Sequence, residues 1–443
     1  VLAAREPRPV RLPLSFSQRR LWLLAEIEGR GPAYNVPLSV RITGDLDADA
    51  LRAAVGDLTR RHETLRTVYA DHDGEPHQRV LPPEAAPPYF ARKPVAPGAL
   101  EAELTAAARH AFDLRTEPPL RVILFEPAEG AAVLLILLHH IATDGQSLGP
   151  LLGDLATAYD ARRDGRPPGW EPLPVQYADY ALWQRRSLGD AEDPGSPLSK
   201  GLAHWRRALA GLPEELVLPL DRPRPPVAGQ RGGAVRVDFG PDLYARIAGL
   251  ARSERCSPFM VLQAALAATL SRLGAGEDIP LGSPVAGRPD DALTPLVGFF
   301  VNTLVLRTDT SGNPSFTELL ARVRETDLNA FAHQDIPFDL VLEAVNPQRS
   351  PSRNPLFQVC LALENGPEPT AALAGLRTAP AEFVDTGTAK FDLEFLLRGD
   401  EADGLSGAVL YNSGLFEPAT AERLVATFRR LLEHVVRDPG VAV

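Results

Sequence analysis

Eight consecutive apolar residues, Ala131-Ala132-Val133-Leu134-Leu135-Ile136-Leu137-Leu138, run straight into a polar turn, His139-His140-Ile141-Ala142-Thr143-Asp144-Gly145. An unbroken run of this kind predicts a strand buried on both faces. Beyond Gly145 the period changes. Leu148, Leu151, Leu152, Leu155 and Tyr159 recur at the spacing of a helix. Strand, polar turn, helix puts the turn at the end of a strand, the edge where mixed α/β sheets present their chemistry.

The same periodicities predict other elements. A helix is expected within Pro13–Glu28, with Leu21, Trp22 and Leu24 apolar. A second, over Ala48–Arg61, is opened by Asp45 or Asp47 as cap and carries Leu51, Val55 and Leu58 on one face. A third spans Leu100–Phe112, and a short strand follows at Leu120–Phe125. Four prolines and two glycines between Asp164 and Pro174 cannot continue a helix and predict a lobe boundary. The proline-rich stretch Leu216–Gln230 reads as extended surface chain. Ser257-Pro258 supplies a cap and a proline for the first helical position. The helix after it, to about Leu273, is apolar on nearly every side and is expected to be deeply buried. An amphipathic helix over Pro418–Val436 closes the chain. There is no internal repeat and no low-complexity tract.

At 443 residues the chain exceeds one ordinary core, so two lobes are expected: 11–174 and 175–443, preceded by a linker over 1–10. The net charge of −11 argues against broad nucleic-acid or anionic-membrane binding, while leaving room for a local basic patch facing an acidic partner. Cys256 and Cys360 lie far apart and form no CxxC pair, which predicts two reduced thiols in a cytosolic protein. The start, Val1 to Pro9, lacks the apolar core of a signal peptide, and no stretch is read as a membrane helix.

Chemistry concentrates in the polar turn. Histidine is the side chain suited to proton transfer near neutral pH. Strand alternation sends the rings of His139 and His140 to opposite sides, so one faces a cleft and the other packs behind it. Asp144 is read first as a helix cap or ion-pair partner, and Gly145 as a close-approach point whose N–H could stabilise an oxyanion. A metal site is disfavoured, because adjacent histidines diverge and no other His, Cys and Asp cluster completes a set. A serine hydrolase is weaker still: no G-x-S-x-G elbow occurs, and Ser147 reads as a first-turn residue.

The turn matches the HHxxxDG signature of the superfamily that includes chloramphenicol acetyltransferase. Six further segments, in order, resemble the core motifs of nonribosomal peptide synthetase condensation domains. They are Ser15–Trp22, Arg61–Thr67, Tyr177–Trp183, Val297–Thr303, His333–Asp339 and Ser352–Leu356. The resemblance covers essentially the whole chain. It implies an α/β (α+β) fold of two chloramphenicol-acetyltransferase-like lobes in a V-shaped pseudo-dimer, with a tunnel between them. It implies that residues 1–10 link to an upstream module. An upstream carrier protein would present the donor aminoacyl or peptidyl thioester, and a downstream carrier the acceptor, each on a phosphopantetheine arm. An adenylation domain would lie adjacent. The domain itself would bind no cofactor or metal and would be monomeric when excised, cytoplasmic, and without nucleic-acid or membrane partners.

By this resemblance His140 carries the reaction, assisted by Gly145, while His139 and Asp144 are structural. Arg66 is the ion-pair candidate for Asp144, with Arg61 second. Trp183, Asn302 and Gln146 are expected near the tunnel, Gln146 standing where a Trp commonly follows the Asp-Gly pair. His333-Gln334-Asp335 is read as structural. The opening Ser15–Trp22 motif is similar to domains that join an L-donor to an L-acceptor. Two alternatives stay open: an epimerisation domain, and a catalytically silent condensation-like module that recruits partner enzymes.

Overall fold

The computed structural model describes residues 2–4, 7–365, 370–400 and 402–443. Along the chain run β1 Leu12–Pro13, α1 Phe16–Glu28, β2 Asn35–Thr43, α2 Ala48–Arg61, β3 Thr67–His72, β4 Glu75–Val80, β5 Tyr89–Val95, α3 Leu100–Ala108, β6 Leu120–Pro127, β7 Ala132–His139, α4 Leu148–Arg163 and α5 Tyr177–Leu188. Then follow α6 Pro197–Ala208, β8 Gly232–Asp238, α7 Gly240–Ser253, α8 Pro258–Leu270, β9 Asp278–Val285, β10 Asn302–Asp309, α9 Phe316–Phe331, α10 Phe338–Val345, β11 Val359–Asn365, β12 Arg377–Thr378, β13 Glu382–Phe383, β14 Leu393–Asp400, β15 Gly404–Asn412 and α11 Pro418–Val435. The mixed α/β character expected from the sequence is present.

Two compact units form. The first comprises residues 1–189, 286–301 and 368–386; the second takes 190–285, 302–367 and 387–443. The division differs from a single cut at 174. Tyr177 and Tyr180 of α5 pack with Leu293, Leu296 and Phe300, so this helix stays with the first unit. Residues 377–383 also return to it, because β12 and β13 pair with β2. Within the expected linker, Leu2 is buried and Arg8 donates to Glu63 at 2.6 Å and to Asp179 at 2.9 Å, so these residues dock on the unit. Val1, Arg5 and Glu6 lie outside the described residues.

The first unit is built around β7, the strand the apolar run predicts. It lies between β2 and β6, antiparallel to both. Leu134, Ile136 and Leu138 face α2 and α4 through Leu51, Val55, Leu151 and Leu155. Val133, Leu135 and Leu137 face the other way, toward Leu21 and Trp22 of α1 and Leu104 of α3. Burial on both faces explains the missing polar alternation, and each fully buried leucine contributes about 2 kcal/mol. Helix α1 starts where Ser15 and Gln18 form a reciprocal cap, and Asp47 caps α2. Helix α3 stops at Ala108, short of the expected Phe112. The Asn35 amide there takes the carbonyls of Ala108 and His110 at 2.7 and 2.8 Å.

In the second unit, a six-stranded sheet in the order β10-β9-β11-β14-β15-β8 packs against α7, α8, α9 and α11. Ser257 caps α8 by accepting from the Met260 amide, with Pro258 at its first position. From Met260 onward every residue of α8 is buried. By length and composition alone Pro258–Ala275 is apolar enough to cross a membrane, which the sequence reading did not anticipate; 67% of it is buried within this chain. Its apolar surface is consumed by the core it packs into.

Candidate functional site

The strand-end turn owes its shape to short-range hydrogen bonds. His139, at the end of β7, is buried, and its Nδ1 accepts from the Ile141 amide at 3.1 Å, starting a one-turn helix over His140–Ala142. Its ring packs between Tyr34 and Phe112. The His139 ring is thus enclosed by aromatic neighbours on the side away from His140's turn contact.

His140 points the other way and is half-buried. Its Nδ1 lies 2.7 Å from the Thr143 carbonyl oxygen. A carbonyl only accepts, so Nδ1 carries a proton, and in the neutral form of the ring the lone pair is the one on Nε2. The Phe299 ring stands against the imidazole, with centroids 4.8 Å apart and planes at 62°. The arrangement suits a proton acceptor of fixed tautomer.

Asp144 caps the next turn, Gly145–Ser147, by accepting from the Ser147 amide at 2.9 Å and its hydroxyl at 2.7 Å. Oδ2 accepts from the Phe300 amide at 3.0 Å, and Oδ1 takes an Arg288 N–H at 3.1 Å. Arg288 is therefore the ion-pair partner of Asp144, and neither expected arginine fills that place. Arg66 is spent on the carbonyls of Thr59 at 2.9 Å and Leu81 at 2.5 Å. Arg61 pairs with Asp154 at 2.8 Å and lies over the Trp170 ring. The Arg288 guanidinium also reaches the Leu296 carbonyl at 2.9 Å and sits 4.1 Å from the Phe300 ring centroid. With side chains 6% and 0% exposed, the Arg288–Asp144 pair is shielded from water.

Gly145 and Gln146 are exposed on the turn beside His140. Trp183 is half-buried on α5, tilted against Tyr180 at 6.2 Å. Asn302 belongs to the second unit, and its side chain is committed there. Its amide donates to the carbonyls of Gln334 and Ile336, both at 2.7 Å, and its oxygen accepts from the Phe338 amide at 3.0 Å. Asn302 thus ties down the loop after α9. His333, in that loop, stacks on His204 at 3.7 Å, in keeping with a structural role.

Arg288, Phe299 and Tyr177 complete the site, and sequence reasoning gave none of them a role. Phe299 and Tyr177 lie within motif segments already singled out, so only their function was missing. Nothing in the pattern around Arg288 marked it. Among the described residues no group of three or more His, Cys, Asp and Glu side chains could hold a metal.

Comparison with known proteins covers the same span. The family model for the condensation domain matches residues 10–443. The chain is 53% identical over 442 residues to a probable non-canonical nonribosomal peptide synthetase, CymA, of Salinispora arenicola, covering 99% of this chain and 6% of that protein. It is 47% identical to a dimodular nonribosomal peptide synthase of Bacillus subtilis, covering 98% of this chain and 18% of that one. Among solved structures, the X-domain from teicoplanin biosynthesis matches with a TM-score of 0.91 and 37% identity, over 99% of this chain and 98% of that one. An X-domain from the same biosynthesis has been solved in complex with OxyB. The chain thus spans a small fraction of the curated relatives it matches.

Proposed function

The chain belongs to the condensation-domain family of nonribosomal peptide synthetases, and from that premise we propose that it forms a peptide bond between two carrier-bound substrates. The upstream carrier brings an aminoacyl or peptidyl thioester on a phosphopantetheine arm, and the downstream carrier brings an aminoacyl thioester whose amine is the nucleophile. Both carriers and a neighbouring adenylation domain would act with it in the cytoplasm. The acceptor nitrogen attacks the donor carbonyl, the new C–N bond forms, and the C–S bond to the donor arm breaks. The proton lost by the amine passes to Nε2 of His140 and ends on the departing thiolate. A thioester is already activated, so one aligned proton acceptor and orientation of the two arms supply much of the rate. The N–H of Gly145 is the candidate donor to the oxyanion.

The observation that carries this reading is the Nδ1–Thr143 hydrogen bond, which places a proton on Nδ1, so that in the neutral ring Nε2 is the nitrogen that accepts. The match to X-domains favours a second reading, in which the domain recruits a partner enzyme and performs no transfer. Two features weigh against it: identity is higher to the synthetases than to the X-domain, and the histidine motif is intact. A single-turnover assay with loaded carriers separates the readings. Dipeptidyl product on the acceptor carrier supports condensation, an inverted aminoacyl residue means epimerisation, and no change in either carrier means recruitment. His140→Ala is expected to cut transfer at least a hundredfold, within the range general-base catalysis contributes, with no loss of fold. A folded His140→Ala chain with wild-type transfer would remove His140 from the mechanism.

A further inference from the structure

We propose that Asp327 is kept as a neutral carboxylic acid whose Oδ2–H donates to Gln263 Oε1, closing a two-bond acid–amide ring that locks α8 to α9 until the proton leaves. Both side chains are fully buried in the second unit. The Gln263 amide nitrogen has two hydrogens, and both are spent. One goes to Asp327 Oδ1 at 3.0 Å, the other to the Thr308 hydroxyl of β10 at 3.3 Å. Among the described residues, two oxygens are then left buried without a partner, Asp327 Oδ2 and Gln263 Oε1. They belong to the same two side chains that the 3.0 Å bond already joins. An amide oxygen only accepts, and so does an ionised carboxylate, so with Asp327 charged neither orphan serves the other. One proton on Oδ2 turns that oxygen into a donor, and Oε1 is the acceptor left for it. A single hydrogen thus answers two buried atoms, each of which otherwise carries the cost of an unmet polar group.

No cation answers Asp327 from the elements around it. Helix α8 carries no titratable residue. On β10, Arg307 holds Asp278 at 2.7 Å, and Asp309 is exposed. On α9 itself, Glu325 is exposed, and Arg324 donates to the Arg255 carbonyl at 2.8 Å in the loop before α8, where Glu254 and Cys256 also lie. The C-terminal segment, with Asp438, meets α9 at Phe316 and Thr317 in its first turn. Among the described residues no charge adds to or offsets the effect of burial, which pushes the Asp327 carboxyl up to about 7. Loss of the proton to solvent has two effects. It leaves an anion in a core without a counter-charge, and it sets two acceptor oxygens against each other where the ring had a bond. The joint between α8 and α9 loosens in consequence, and α9 leads into the loop that Asn302 ties down. The second unit thus carries a proton-operated lock that responds near neutral pH.

Neutron diffraction from deuterated crystals of the whole 443-residue chain, grown at about pH 6, reads the proton directly. A deuteron on Oδ2 directed at Oε1 is expected. A bare Oδ2, or a water between the two oxygens, overturns the proposal. Amide hydrogen exchange then reads the lock, with β7 of the first unit as internal reference. A carboxyl held near 7 in the closed joint and near 3.8 once opened predicts that exchange in α8 and α9, relative to β7, rises about tenfold between about pH 6 and pH 8. Asp327→Asn is expected to show no such rise, because a second amide makes the same two bonds and does not titrate. An equal rise in both chains, or none in wild type, overturns the lock. If the Asn variant does not fold, Gln263→Met, which lacks both ring bonds, puts the question in another form. It is expected to lose about tenfold protection in α8 and α9 at about pH 6, and wild-type protection there overturns the proposal.

Discussion

Asp144 in the first unit and Asp327 in the second are both buried aspartates, and their surroundings differ completely. Asp144 is met by a guanidinium, a hydroxyl and two backbone amides. Asp327, on α9, receives one hydrogen bond, from the Gln263 amide at 3.0 Å, and its Oδ2 has no partner. Helix α8, which supplies Gln263, carries no titratable residue. From β10 only Thr308 faces this spot, while Arg307 pairs with Asp278 and Asp309 is exposed on the other side of the strand. Burial accordingly pushes the Asp327 carboxyl from its ordinary 3.8 up to about 7, the Gln263 amide pulling weakly the other way. The lesson is that depth alone does not decide how a core tolerates an acid. The first unit satisfies the charge of its aspartate; the second gives its aspartate an environment that favours the neutral form.

The largest test of the contrast is Arg288→Ala. Removing one partner of a buried pair strands the Asp144 charge and is expected to cost about 3–5 kcal/mol in urea unfolding. A loss below about 1 kcal/mol would mean that the neutral donors suffice. Next comes pH. The folded pKa of Asp327 lies above its unfolded value, so unfolding releases a proton between about pH 4 and pH 7. Its contribution to stability is fully present below that window and is lost as pH rises through about 7. The loss is expected to reach roughly 2–4 kcal/mol from this group. Asp327→Asn should flatten that limb, because an amide carries no charge to bury; an unchanged pH profile in the variant would make Asp327 an ionised group at neutral pH. The smallest effect is expected for Arg66→Gln. Arg66 binds carbonyls and does not meet Asp144, so stability should fall by about 1–2 kcal/mol, with no change in the His140 tautomer. A loss as large as that of Arg288→Ala would erase the distinction between the two arginines.

The positions most legible in the sequence are those whose partners lie within a few residues. Ser15 with Gln18, Asp47 at α2 and Ser257-Pro258 at α8 each announce a helix start, because a cap and its amide are separated by two or three residues. The apolar run marks β7, since a strand covered on both faces needs no polar alternation. Where a remote side chain intervenes, prediction slips. Asn35 ends α3 early, and α5 passes the expected boundary because its tyrosines find Phe300.

The candidate site divides in the same way. The sequence by itself determined that His139 and His140 diverge at a strand end, that Asp144 caps the following turn, and that the chain resembles condensation domains. Even the bond that sets the His140 tautomer spans only three residues. Tertiary structure alone decided that Arg288, rather than Arg66, answers the charge of Asp144, and that Phe299 stands against His140. A guanidinium carries the same charge wherever it occurs, and a phenylalanine the same ring. Which one arrives depends on how residues 286–301 return to the first unit, and that path is set by packing between segments far apart in the chain.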